Sequence, residues 1–205
     1  MTDNPEARGS TPNGGVAPAG KRFDRVEGRH WGYSPDDVDD YFSRVEAAIK
    51  APRGQDAPEF TSSDLRTAVF GRARGGYQPA VVDAAMDQLE DTLARRENRD
   101  YIDSHGRQAW EEQVGALSDL IFGRLERADG HRFRRPSGSS SRGYAVVDVD
   151  ALCDAVVEEL STAESVHPDR VRTAVFGPAV GERAYEEQQV DAFLDKLVEL
   201  LLALR

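Results

Sequence analysis

Four aspartates, Asp39, Asp83, Asp150 and Asp191, each follow a valine and each stand six residues after a tyrosine. Carboxylates held close together can exchange protons with a substrate, so this set is the first place to look for general acid–base chemistry. Its regularity favours another use. A catalytic pair is needed once, whereas a structural contact is needed in every copy of a unit. The four are therefore expected to hydrogen-bond backbone or an arginine near a turn. The other reactive residues are scattered. His30, His105, His131 and His167 have no cysteine or carboxylate at ligand spacing, and no metal site is expected. Cys153 falls on an apolar stripe and reads as a small core residue. The stretch Gly71-Arg-Ala-Arg-Gly-Gly76 lacks the Gly-Lys-Ser/Thr ending of a phosphate loop and reads as a turn. No catalytic residue, cofactor or nucleotide is expected, and the chain reads as non-enzymatic.

The elements that carry the aspartates are legible from spacing. Tyr33 leads to Val38-Asp39, Tyr77 to Val82-Asp83, Tyr144 to Val149-Asp150 and Tyr185 to Val190-Asp191. Four places beyond each valine stand Phe42, Met86, Cys153 and Leu194. Seven places beyond stand Val45, Leu89, Val156 and Leu197, and eleven beyond stand Ile49, Leu93, Leu160 and Leu201. These offsets return to one helical face, so each Val-Asp opens an amphipathic helix with charged residues on its other faces. Leu89, Val156 and Leu197 are expected to be almost fully buried. Ser34-Pro35-Asp36-Asp37 supplies a capping serine, a proline at the first helical position and two carboxylates against the helix dipole. Gly32, Gly76 and Gly143 directly precede a tyrosine, where a tight turn accepts glycine, and Ala184 takes that place in the fourth copy.

The copies come in two kinds. The second and fourth share Arg66-Thr67-Ala68-Val69-Phe70-Gly71, which recurs as Arg172-Thr173-Ala174-Val175-Phe176-Gly177. The first and third carry Arg22-Phe23-Asp24-Arg25 and Arg132-Phe133-Arg134-Arg135 instead. Tyr33 and Tyr144 are 111 residues apart, Tyr77 and Tyr185 108. An A-B-A-B order suggests duplication of a two-copy module. The expected fold is mainly α. Each copy is a short helix or extended arm, a turn and an amphipathic helix, and the copies pack as pseudo-dimeric pairs. Short β-pairing at the turns is allowed, above all around Phe23 and Phe133.

Phe, a short basic or glycine-rich turn, and Gly-Tyr-x4-Val-Asp together resemble the DivIVA domain of bacterial cell-division and polar-growth scaffolds. Four copies in one chain, over about residues 20 to 204, look like the actinobacterial repeat proteins of that family. The resemblance implies a cytoplasmic scaffold or adaptor whose partners are other division or polar-growth proteins, and which can form homo-oligomers. It also implies an alternative, a peripheral membrane-binding module at the inner face of the cell membrane. In the family, an exposed aromatic and a neighbouring arginine in the turn just before Gly-Tyr bind membrane, which implies weak contact with anionic lipid for this chain. Arg29 and Trp31 match those positions in the first copy, the one turn with an aromatic beside a base. No long heptad tract follows any copy.

Composition sets the outer bounds. With 205 residues and about five apolar anchors per copy, no copy is stable alone. A net charge of -11 disfavours a nucleic-acid partner. One cysteine excludes an internal disulfide and fits a reducing cytoplasm. Residues 1–20, rich in Gly, Pro and Asn, read as a disordered tail, with 51–58 as a linker and 136–143 as a flexible serine-rich loop. The expected organisation is copies one and two at 21–100, a bridging segment at 101–130 and copies three and four at 131–205. The helix within the bridge, about 107–127, places Trp110, Val114, Leu117, Ile121 and Leu125 on one face.

Overall fold

The computed structural model describes residues 22–51, 60–138, 140–161 and 166–205. The expected tail at 1–20 and nearly all of the expected linker at 51–58 lie outside them. The described residues form a mainly helical protein with two small antiparallel sheets. In chain order the elements are β1 (Trp31–Tyr33), α1 (Pro35–Lys50), α2 (Ser62–Arg66), β2 (Arg72–Arg74), α3 (Pro79–His105) and α4 (Arg107–Leu125). They continue with β3 (Arg142–Ala145), α5 (Val146–Ser161), α6 (Pro168–Arg172), β4 (Pro178–Val180), a 3-10 turn (Gly181–Arg183), β5 (Ala184–Tyr185) and α7 (Glu187–Ala203). None of the described helices is long and apolar enough to cross a membrane.

The chain divides into two compact units. The first takes the described residues within Met1–Lys50 and Val69–Ala84, the second those within Ala51–Ala68 and Ala85–Arg205. In the first, β1 pairs antiparallel with β2, with Trp31 opposite Arg74, Gly32 opposite Ala73 and Tyr33 opposite Arg72. An isolated bridge adds Tyr33 opposite Tyr77. In the second, β3 pairs with β4, with Arg142 opposite Val180, Gly143 opposite Ala179 and Tyr144 opposite Pro178. On its other side β3 meets β5, with Tyr144 opposite Tyr185. The named strands fall on the Gly-Tyr arms, and beside Phe23 an isolated bridge sets Arg25 opposite Tyr77, as expected around that phenylalanine.

Helix starts follow local chemistry. Thr61 caps α2 in a capping box with Asp64. His167 caps α6, whose first residue is Pro168. Burial on the amphipathic helices largely follows the stripe. Val38, Phe42 and Val45 on α1, Val149, Cys153 and Val156 on α5, and Val190, Leu197 and Leu201 on α7 are buried. Leu89 departs from it and is only half-buried. Glu90 turns inward in its place, at 2 % exposure, between Met86 and Leu93. The core of the second unit joins Ile121 and Leu125 of α4 to Phe133, Val149, Val156, Val171 and the inner face of α7. At about 1.5–3 kcal/mol per large side chain, this burial is the main source of stability for so short a set of helices. Val114 and Leu117 pack on that core from α4, and Trp110 is half-buried. Leu120 and Phe122, on the other side of α4, are exposed.

Candidate functional site

The aspartates meet tyrosines. In the first unit the Tyr77 hydroxyl, fully buried as a residue, donates to Asp39 at 3.0 and 3.2 Å. The Tyr33 side chain faces Asp83 in the opposite direction along the chain, and that carboxylate adds to the rise in its pKa that burial causes. In the second unit the Tyr185 hydroxyl donates to Asp150 at 3.0 and 3.2 Å, and Tyr144 faces Asp191, whose charge adds to the rise in its pKa that burial causes. Every tyrosine therefore reaches the aspartate of the other helix in its unit, not its own. The expected partners, backbone or arginine, are found only in part. Asp150 also accepts from the Gly130 N–H at 2.7 Å and lies 3.4 Å from the Arg132 guanidinium. Asp39 lies 3.7 Å from Arg22.

The surroundings of Tyr77 and Tyr185 correspond contact by contact. Arg22 gives its backbone N–H to Tyr77 at 3.3 Å, and Arg132 gives its own to Tyr185 at 3.2 Å. Phe23 meets the Tyr77 ring edge-on at 5.5 Å, and Phe133 meets Tyr185 edge-on at 5.2 Å. Arg25 lies over Tyr77 and Arg135 over Tyr185, at 5.5 and 4.8 Å from the ring centres. Phe70 stacks obliquely on Tyr33 at 5.4 Å, Phe176 on Tyr144 at 5.1 Å. Val38, Val82, Val149 and Val190 are all at 0 % exposure. Each places the following aspartate at the rim of the apolar seam.

Two further contacts hold the turn. The Gly71 N–H donates to Asp37 at 2.9 Å while its carbonyl accepts from Ser34 at 2.7 Å. Gly177 makes the same pair of bonds, to Asp148 at 2.7 Å and from Ala145 at 2.8 Å. These aspartates precede the motif valine in Asp37-Val38-Asp39 and Asp148-Val149-Asp150, a doubled signal that the tyrosine spacing does not include. The glycines before the tyrosines serve close approach rather than a special turn. A Cβ on Gly32 would lie 2.2 Å from the Tyr77 carbonyl oxygen, and one on Gly143 would lie 2.0 Å from that of Tyr185.

Burial raises the pKa of all four tyrosines, with Tyr185 pushed up to about 12. Such hydroxyls stay protonated and act as donors. Burial also pushes the Cys153 thiol up to about 12, so it is an inert core group.

A cluster that spacing does not reveal lies in the second unit. Arg66 and Arg172, the first residues of the two identical strings, both reach Glu90. The Arg66 Nε lies 2.5 Å from one carboxylate oxygen, bent away from a linear hydrogen bond, and Arg172 lies 2.7 Å from the other. Arg172 also holds Asp91 at 2.9 Å and Asp169 at 3.0 Å. Burial pushes the Glu90 carboxyl up, and the two guanidiniums offset part of that rise.

Of the two membrane-contact candidates, Trp31 is 57 % exposed and Arg29 is exposed. The guanidinium over the Trp31 ring, at 5.3 Å, is that of Arg74 on the paired strand. No group of three or more His, Cys, Asp or Glu placed to hold a metal ion occurs among the described residues. No protein-family model, curated protein or solved structure matches the chain.

Proposed function

We propose that the chain is a non-enzymatic scaffold or adaptor of the DivIVA kind, built from four tandem copies that pair one with two and three with four. What supports it is the exchange of tyrosine–aspartate contacts between the two Val-Asp helices of each unit, one a hydrogen bond and the other an electrostatic approach. An exchanged contact is self-complementary, as at a twofold dimer interface. Two such contacts within one chain are what duplication of a pairing module would leave. Residues that recur for mutual support are spent on assembly rather than on a substrate, and the tyrosine hydroxyls already have partners. On this proposal the exposed faces meet cytoplasmic division or polar-growth proteins.

The test is localisation. A fluorescent fusion expressed in its native, growing cells should concentrate at septa or poles, and a Tyr77→Phe/Tyr185→Phe variant should lose that focus. A uniform signal for the intact fusion in dividing cells would count against the scaffold role.

A second reading, weak contact with anionic membrane, is favoured by the exposed Trp31 with Arg74 over its ring. A tryptophan backed by a cation suits the boundary between lipid headgroups and acyl chains. Co-sedimentation with phosphatidylglycerol vesicles at low salt, lost on Trp31→Ala, would support it. No sedimentation at low salt would remove it.

A further inference from the structure

The route from strand to tyrosine differs between the units. In the first, β2 reaches Tyr77 through Gly75-Gly76 alone. In the second, β4 reaches Tyr185 through four residues, Gly181 to Ala184, and the extra length forms the 3-10 turn. That turn walls a cavity of about 650 Å³ between β4, β3 and the start of α5. Val146, Val147, Pro178 and Val180 supply an apolar lining, with Arg142 and Arg183 also in the wall. In the first unit the position opposite Arg74 holds Trp31, whose ring lies against that arginine. In the second unit the matching strand position is Arg142, opposite Val180.

Backbone geometry sets what fits. β4 is the outer strand in the order β4-β3-β5. Ala145 donates to the Gly177 carbonyl at 2.8 Å and Gly181 donates to the Ser141 carbonyl at 3.2 Å. With the observed register, Ala179 bonds to β3, so the Pro178 carbonyl and the Val180 N–H point to the outer edge. One acceptor and one donor on either side of Ala179 suit a single residue of an incoming extended chain. Pro178 has no N–H, which limits longer pairing along the same edge.

We propose that this groove docks an extended peptide carrying an apolar side chain next to a carboxylate. The strand edge takes the backbone, the apolar lining takes the side chain, and Arg142 and Arg183 take the carboxylate. Charge complementarity selects the acidic peptide, because Arg142 and Arg183 outnumber the one carboxylate, Glu182, in the wall. Glu182 offsets one of the two arginines and limits the match to a single peptide carboxylate. The site rests on the geometry of the second unit and does not depend on the scaffold reading.

The test is a positional-scanning library of short acetylated peptides, read against the full chain by fluorescence anisotropy. The best sequence is then titrated into isotope-labelled protein. Val, Ile or Phe beside Asp or Glu should be enriched, and the Val180 amide should shift and become protected from exchange. Val147 is 73 % exposed and Arg183 is exposed, so Val147→Glu and Arg183→Glu leave the core untouched. Each should weaken binding by roughly tenfold or more, since a like charge then meets the peptide carboxylate. No enrichment, or selected peptides that bind both variants as well as the parent, would overturn the proposal. So would peptide binding that leaves the Val180 amide unmoved. Loss of phosphatidylglycerol-vesicle binding in both variants, without peptide binding in the parent, would overturn it in favour of a lipid surface.

Discussion

Replacing Tyr185 by phenylalanine removes one oxygen and leaves the ring. The ring keeps its edge-on contact with Phe133 at 5.2 Å and its place beneath Arg135, so no cavity opens. The lost oxygen accepts the Arg132 N–H at 3.2 Å and donates to Asp150 at 3.0 Å, in a residue at 0 % exposure. An orphaned buried donor costs about 1–3 kcal/mol. At the other end Asp150 keeps the Gly130 N–H at 2.7 Å and the Arg132 guanidinium at 3.4 Å, which limits the loss there. The expected total is about 2–3 kcal/mol, against about 0.5–1.5 kcal/mol for Tyr33→Phe, whose residue is only half-buried. Urea unfolding reads both, as a fall in midpoint at unchanged slope. A double-mutant cycle with Asp150→Asn should return a coupling of about 0.5–3 kcal/mol. A cost below about 0.5 kcal/mol for Tyr185→Phe, or no coupling to Asp150, would refute the buried exchange of bonds.

Alkaline pH should act through the same groups. The folded chain holds the tyrosine protons more tightly than the usual pKa of 10.0, so their stabilisation is complete below pH 10 and is lost as pH rises toward about 12. Thermal melts across that range should fall, and fall less steeply in Tyr185→Phe. Arg172→Met removes one of the two cations on buried Glu90 and should cost about 3–5 kcal/mol by urea unfolding, since it leaves an under-compensated charge. Gly143→Ala would push a Cβ to 2.0 Å from the Tyr185 carbonyl oxygen and should unpair β3 from β5. Gly115→Ala, in the interior of α4 with nothing within 4 Å of its Cβ, should stabilise by about 0.5–1 kcal/mol; calorimetry separates the two signs.

The helices were legible because their signal is local. An apolar face at offsets of four, seven and eleven reads the same in α1, α5 and α7 whatever packs against it. It failed at Leu89 because α3 is turned by a partner far away in sequence. Glu90 faces inward to meet Arg66 and Arg172, and no local pattern reports a contact that spans 24 residues one way and 82 the other. The shared Arg-Thr-Ala-Val-Phe-Gly strings were visible, yet their arginines could be assigned a role only from coordinates. The aspartates were visible too, as contact-making residues repeated in every copy. Their tyrosine partners were missed although a tyrosine stands six residues before each aspartate, because the partner is the tyrosine of the other copy, Tyr77 for Asp39 and Tyr185 for Asp150. The glycines were read as turn formers; close strand approach produces the same preference and differs only in space.

The central claim, that neighbouring copies pair within one chain, is tested most directly by a cross-strand disulfide. Trp31 and Arg74 face each other in register. The Gly75 N–H bonds the His30 carbonyl at 3.0 Å and the Ser34 N–H bonds the Gly71 carbonyl at 2.7 Å, which makes the Trp31–Arg74 pair the closer, non-hydrogen-bonded kind. Its separation, about 4.5 Å between Cα atoms, lies within disulfide range. On a Cys153→Ser background, Trp31→Cys/Arg74→Cys should oxidise to a disulfide inside a single chain, seen as one-chain mass under non-reducing conditions. Disulfides that form only between two chains would contradict the pairing and make the assembly intermolecular.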